Sequence, residues 1–314
     1  MEYLKLIGGL ILLLAGGEFL VKGGASIASR LRISSLVIGM TVVAFGTSAP
    51  EFIVSLKAAL IGSSEIAMGN VIGSNIANVA FILGLTAIIF PLTVTRNTLR
   101  IDWPIMMLAS LLLLLAAIDG LISRFEGIIG FILLIVFICI QVLTAKNGEN
   151  QEVESTKEYP IWLSVMFIII SCAGLATGAD LLIDGATVIA SDLGVSERII
   201  GITIVAFGTS LPELVTSIIA AVRKQSDIAI GNIVGSNIFN VFCIIGLSAT
   251  IQPIKFIKGS FDIDLLWMCG TALLLLLLML KYNKKDFLQK GRLGRVGGGL
   301  LMVSYLAYIF VLLF

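Results

Sequence analysis

Two stretches of this chain set a carboxylate behind a proline inside a long apolar run. They are Gly46-Thr47-Ser48-Ala49-Pro50-Glu51 and Gly208-Thr209-Ser210-Leu211-Pro212-Glu213. An unpaired charge at a bilayer centre costs about 2.5–3.5 kcal/mol or more, so two in equivalent places point to a site. Thr47 and Ser48 precede Glu51 by four and three residues, a spacing that lets all three share one helix face. Pro50 and Pro212 have no N–H, so the carbonyls of Gly46 and Gly208 lose their helical partners. In lipid such a carbonyl must be satisfied unless it lines a wet cavity or meets an ion. Hard cations such as Ca2+ take roughly six to eight oxygens from carboxylates, carbonyls and amides. The two stretches are read as halves of one cation-binding centre. The plainer alternative is a proline kink with an internally paired glutamate.

The next apolar segment of each half carries polar partners. Gly69-Asn70-Val71-Ile72-Gly73-Ser74-Asn75-Ile76-Ala77-Asn78 returns as Gly231-Asn232-Ile233-Val234-Gly235-Ser236-Asn237-Ile238-Phe239-Asn240. Asn70, Ser74 and Asn78 recur every four residues and form a stripe on one helix face, as do Asn232, Ser236 and Asn240. Glycines among them permit close backbone approach. Ser74, Asn78, Ser236 and Asn240 are read as ligands or orienters of ligands. Asn75 and Asn237, off the stripe, are read as hydrogen-bond glue between helices.

The elements that hold these motifs are membrane helices. The 314 residues are 58% hydrophobic and 13% charged, against roughly 45–50% and 25% for a soluble domain. A span needs about 20 apolar residues, and ten candidates appear: 4–28, 36–60, 66–91, 101–119, 125–145, 160–190, 198–222, 228–252, 262–281 and 295–314. The first run is too long for a cleavable signal and lacks its small-residue cleavage site. A shift of 162 aligns residues 39–85 with 201–247 without a gap, with 27 of 47 positions identical. The fold is therefore expected to be an all-α membrane protein of ten transmembrane helices, arranged as two inverted five-helix repeats. The first repeat is 1–145, the linker 146–159, and the second repeat 160–314. An odd number of spans per repeat forces the inversion, and inverted repeats hold substrate at the midplane where they meet.

Orientation follows from Lys and Arg. The loops between spans 1–2, 3–4, 5–6, 7–8 and 9–10 carry about 14 basic residues and the opposite side about 6. Both termini are expected outside a cell membrane, with the central linker cytoplasmic. A net charge of +1 offers nothing to nucleic acid, and zero histidines removes His-based catalysis and His metal sites. Cys139, Cys172, Cys243 and Cys269 stand singly in apolar segments and are read as packing residues. Spans 1 and 6 carry Glu18 with Lys22 and Asp180 with Asp184, each pair four residues apart; these are read as interfacial charges.

The paired Gly-Thr-Ser-x-Pro-Glu and Gly-Asn-x-x-Gly-Ser-Asn-Ile-x-Asn stretches resemble the two alpha-repeats of the calcium:cation antiporter superfamily, and most of all the prokaryotic sodium/calcium exchangers. The resemblance covers essentially the whole chain. It implies four adjoining cation sites in a diamond built by spans 2, 3, 7 and 8, with spans 1 and 6 as a sliding gating pair. By motif position it implies Glu51 and Glu213 as Ca2+ ligands. Sodium ligands would add Thr47, Ser48, Ser74, Asn78, Thr209, Ser210, Ser236 and Asn240, with the carbonyls of Ala44 and Ala206. Potassium-dependent relatives carry Asp at the second-repeat position held here by Asn240, so potassium coupling is not expected. No large cytoplasmic loop of the regulatory kind is present.

The resulting expectation is a Na+/Ca2+ antiporter, not an enzyme, working in the lipid bilayer by alternating access. Ca2+ and Na+ are its substrates, no cofactor is implied, and the chain is read as monomeric. Two carboxylates are neutralised by one Ca2+ or two Na+, and loading both together leaves uncompensated charge in a low-dielectric site. A Ca2+/H+ antiporter and a K+-dependent exchanger are the alternatives within the class. A cation channel is disfavoured because channels ring a filter with identical subunits. An intramembrane enzyme has no Gly-x-Ser-x-Gly and no histidine to work with.

Overall fold

The computed structural model describes residues 1–147, 158–194, 208–280 and 291–313. Its helices are α1 Glu2–Leu31, α2 Ser35–Thr47, α3 Ala49–Leu60, α4 Ser64–Ile89, α5 Thr98–Ala116 and α6 Arg124–Asn147. They continue as α7 Ile161–Asp192, α8 Leu211–Val222, α9 Ser226–Ile251, α10 Asp262–Met279 and α11 Arg295–Leu313. Among the described residues, eight helices are long and apolar enough to cross a membrane, and α2 with α3 makes a ninth if the bent pair is one span. The expected span 198–222 lies partly outside the described residues; α8 belongs to its described part.

Pro50 stands where one helix ends and another begins, as expected, and Pro212 likewise opens a helix. α2 and α3 meet at 50°. The joint is Ser48, at φ −82° and ψ 7°, and Ser210 before α8 has nearly the same backbone, φ −90° and ψ 8°. Pro50 and Pro212 then sit in the first turn of α3 and α8, where a missing N–H costs nothing. Glu51 and Glu213 occupy the same first turns. There the positive end of the helix dipole favours a carboxylate.

The asparagine helices form the middle of the bundle. Every residue in the apolar window of α9 is buried, and 72% of those in α4, against 17% in α11. Both inner helices loosen into a π-helical segment at the last asparagine of the stripe. These segments are Ala77–Leu83, which contains Asn78, and Asn240–Ile245. Such segments mark places where a helix ladder has yielded to a local demand.

The two longest helices, α1 and α7, pack against each other in opposite directions. Gly9 lies over Gly178, Gly16 over Ser171, Gly23 over Ser164, and Gly185 over Glu2. Contacts thus recur every seven residues, the repeat of a left-handed coiled coil. The backbones touch: a Cβ added at Gly9 would lie 2.7 Å from the Gly178 carbonyl oxygen. Only glycine permits this approach.

Four short strands close the ends. Strands β1 (Leu92–Val94) and β4 (Gly291–Leu293) pair antiparallel with Leu92 opposite Leu293. Strands β2 (Leu121–Ile122) and β3 (Ile254–Lys255) pair with Ile122 opposite Ile254. Each pair joins a segment of one half to a segment of the other. An all-α reading omits these strands, which at two or three residues are too short to leave a pattern.

Candidate cation-binding centre

The two halves deliver their carboxylates to one place. Glu51 and Glu213 are both wholly buried. Ser48 Oγ donates to Glu213 Oε1 at 2.9 Å, and Ser210 Oγ donates to Glu51 Oε1 at 3.1 Å. Each serine therefore serves the glutamate of the opposite half rather than its own. The spacing of Ser48 and Glu51 suggests one shared face, but the bend at Ser48 turns its hydroxyl across the interface. Ser236 Oγ makes a longer contact of 3.4 Å to Glu213 Oε1.

Two asparagines hold the glutamate turns from behind. Asn70 Nδ2 donates to the Glu51 carbonyl at 3.3 Å and to Ser55 Oγ at 2.8 Å. Asn232 Nδ2 does the same to the Glu213 carbonyl at 3.4 Å and Ser217 Oγ at 3.1 Å. Thr47 Oγ1 donates to Asn232 Oδ1 at 3.0 Å and approaches the Ala44 carbonyl at 3.3 Å. That carbonyl also accepts from the Ser48 N–H at 3.0 Å. Ser55 and Ser217 were not singled out from sequence. Their signal is the repeat itself: both stand four residues after the glutamate in otherwise apolar helices.

Of the buried polar side-chain atoms without partners among the described residues, six belong to the residues picked out by motif. Glu51 Oε2, Glu213 Oε2, Asn78 Oδ1, Asn240 Oδ1, Ser74 Oγ and Thr209 Oγ1 are all shielded and accept or donate no hydrogen bond. A buried polar group left unpaired costs about 1–3 kcal/mol, and more when charged. The six come equally from both halves. The donor set is two carboxylates, two amide carbonyls and two hydroxyls, the chemistry of a hard-cation site. No group of three or more His, Cys, Asp or Glu that could hold a metal ion occurs among the described residues, so a cation held here would have to draw on neutral oxygens beyond the two charges.

The other expected residues differ in their place, and Thr47 stands beside Glu213. Thr47 and Ala44 are already engaged with protein groups, and Ala206 lies outside the described residues. Asn75 and Asn237 bond across the two halves, as the glue reading expects. Asp180 and Asp184 are exposed on α7, away from the centre. Glu18 meets Lys22 at 2.9 Å and, in addition, Arg223 at the end of α8. A buried pair that sequence did not reveal joins Asp102 to Gln141 at 2.7 Å.

Known proteins share this architecture. The chain matches the family described as sodium/calcium exchanger protein over residues 2–143 and 163–314. CaxA of Alkalimonas amylolytica is 36% identical, covering 97% of this chain and 96% of its own. The sodium/calcium exchanger MaX1 of Methanosarcina acetivorans is 30% identical over 100% of this chain and 99% of its own. The solved structure of the sodium-calcium exchanger NCX_Mj, soaked with 10 mM Na+ and zero Ca2+, superposes with a TM-score of 0.82 at 34% identity. That match covers 98% of this chain and 99% of the other. The many apolar helices, and a chain matched nearly end to end by these relatives and by the family itself, make this a multi-pass membrane transporter of the sodium/calcium exchanger family.

Proposed function

We propose that this chain exchanges Na+ for Ca2+ by alternating access, with Ca2+ held between Glu51 and Glu213. The carrying observation is the pair of buried, cross-bonded carboxylates, each with one unpartnered oxygen, beside which four neutral oxygens of the motif residues are also unpartnered. A divalent cation or two Na+ would neutralise the pair, and the neutral oxygens would replace hydration. Ser48, Ser210 and Ser236 hold one oxygen of each carboxylate, which leaves the other free to turn toward the ion. Thr47 and the Ala44 carbonyl would join the sodium ligands after giving up their mutual contact, with Ala206 as the expected counterpart of Ala44.

The proposed topology is ten spans in two inverted repeats, 1–145 and 160–314, joined by a cytoplasmic linker with both termini outside. Three observations support it. Equivalent helices α1 and α7 run antiparallel, which inversion requires. Strands β1 and β4 meet, and so do β2 and β3, which puts loop 3–4 beside loop 9–10 and loop 4–5 beside loop 8–9. Alternating spans place each of those pairs on one side. The family match also falls into two segments, one per half. The proposed exchange needs no K+, because Asn78 and Asn240 add no third charge.

The experiment is Ca2+ uptake into proteoliposomes with a gradient of Na+, K+ or H+ imposed singly. Uptake driven by Na+ alone is the expected result. Uptake that follows only a proton gradient, or that needs K+ beside Na+, would replace this coupling with one of its alternatives.

A further inference from the structure

The two asparagines off the stripe do more than join helices. Asn75 Nδ2 donates to the Asn237 carbonyl at 3.3 Å, and Asn237 Nδ2 donates to the Asn75 carbonyl at 3.2 Å. Each amide nitrogen also faces a methionine sulfur: Met268 Sδ at 3.6 Å from Asn75 and Met106 Sδ at 3.8 Å from Asn237. Each amide oxygen is used as well. Asn240 Nδ2 donates to Asn75 Oδ1 at 3.0 Å, and Asn78 Nδ2 donates to Asn237 Oδ1 at 3.1 Å. All four side chains are buried.

An amide has one acceptor end and one donor end, and its surroundings decide which way it points. Flipping Asn75 would set its oxygen against a carbonyl and a sulfur, both acceptors, and its NH2 against the NH2 of Asn240. Neither contact is tolerable in a buried site. So Asn75 has one permitted orientation, and it leaves one for Asn240. With its nitrogen tied back to Asn75, Asn240 must present Oδ1 forward, and that oxygen is one of the unpartnered six. Asn237 imposes the same choice on Asn78.

We propose that Asn75 and Asn237 are positioning residues, each of which sets the amide orientation of the opposite half's stripe asparagine and so fixes the centre as a set of oxygens. The inference rests on the proposed function of that centre. Without the constraint, Asn240 or Asn78 could turn its NH2 inward and aim two N–H dipoles at a cation. The exchange of an acceptor for a donor would weaken Ca2+ and Na+ alike. Because the constraint crosses the interface, each half of the centre is correctly formed only when the other is in place.

The test is a double-mutant cycle on half-saturating Ca2+ in Na+-driven uptake, using Asn75→Leu, Asn240→Ala and the double variant. Loss of an orienting partner behind a ligand costs about 10–100-fold in metal affinity. Asn75→Leu is expected to raise half-saturation by a factor in that range with the maximal rate preserved. In the Asn240→Ala background, Asn75→Leu should add little, because there is no longer an amide to orient. If Asn75→Leu does not fold, Asn75→Ala carries the same comparison, since it removes the acceptor for Asn240 and the bond to the Asn237 carbonyl without adding bulk. An equal cost in both backgrounds overturns the positioning role and leaves helix glue. Half-saturation unmoved by Asn240→Ala overturns the centre itself, and the positioning role falls with it.

Discussion

Equivalent helices of the two halves meet twice, and the two contacts are made of different materials. Where α4 meets α9, four buried asparagines are joined by hydrogen bonds of 3.0 to 3.3 Å, and each donor faces a specified acceptor. Where α1 meets α7, glycines and small residues recur every seven positions with backbone against backbone. Apart from Ser164 donating to Ser26 at 2.9 Å, no side-chain hydrogen bond joins α1 to α7 among the described residues. Directional bonds distinguish one relative placement from all others. A smooth small-residue seam constrains separation but has few features along its length. The first contact suits a site whose ligands must hold position, the second a pair of helices that must be able to shift, as the family resemblance implies for spans 1 and 6.

The largest effect should come from the carboxylates that the inner contact supports. Glu51→Gln or Glu213→Gln keeps size and some hydrogen bonding but removes half the charge facing a divalent ion. Ca2+ transport is expected to be abolished in each, with unaltered thermal stability in detergent or better, because a buried carboxylate is costly. Near-normal Ca2+ flux in either variant would separate the centre from transport altogether.

A substitution in the outer contact should act differently. In Gly9→Ala the new methyl would meet the Gly178 carbonyl oxygen at 2.7 Å and the Leu182 nitrogen at 2.8 Å. Both are backbone atoms, so the helices themselves must separate, at about 1–3 kcal/mol. The maximal exchange rate is expected to fall about tenfold, the equivalent of about 1.4 kcal/mol on a barrier, while half-saturating Ca2+ stays within twofold. The reverse pattern, weaker half-saturation at full rate, would show that the seam shapes the centre and that the two contacts do not divide the work.

Sequence disclosed the two contacts to different degrees. The glutamates, the asparagine stripes and the repeat were legible because polar residues in apolar spans stand out and because each motif occurs twice. The glue role of Asn75 and Asn237 was legible for the same reason. That Ser48 serves Glu213 and Ser210 serves Glu51 was not, since the 50° bend at Ser48 decides it and periodicity assumes a straight helix. Paired glycines in α1 were visible, yet the seven-residue register with α7 needs both helices at once. The Asp102–Gln141 bond joins residues 39 apart in sequence, with no spacing to announce it.

A smaller effect is expected from changing charge at the inner contact without breaking it. Asn240→Asp puts a third carboxyl among the six oxygens. Asp offers no NH2 to Asn75 Oδ1, so one orienting bond is lost while an acceptor is gained. The extra charge must be met by another cation or a proton, as a lone charge in a low-dielectric site is costly. Na+-driven Ca2+ flux in this variant should change severalfold with added K+ or with pH, whereas the unmodified protein stays indifferent to K+. Strict K+ dependence of the unmodified protein would remove Asn240 as the residue that separates the two modes of coupling.

The smallest effect concerns the charged edge of the outer contact. Glu18 on α1 accepts from Arg223 Nε at 2.7 Å and pairs with Lys22, so α1 is tied to the end of α8, whose first turn carries Glu213. Among the described residues this tie is the ionic contact that joins α1 to a helix of the centre, yet it is partly exposed, 28% for Glu18 and 41% for Arg223. Partly exposed ion pairs contribute about 0.2–1 kcal/mol, and salt screens them. Lys22 would also remain to neutralise Glu18 if Arg223 were lost. Arg223→Gln is therefore expected to alter exchange rate by less than about fivefold, which corresponds to the upper end of that range. The difference from the unmodified protein should shrink as ionic strength is raised with a salt that is not transported, such as choline chloride. A loss as large as that of the glutamate variants, persisting at high salt, would mean that α1 is held to the centre by a specific bond and that the outer contact is not the featureless one its glycines suggest.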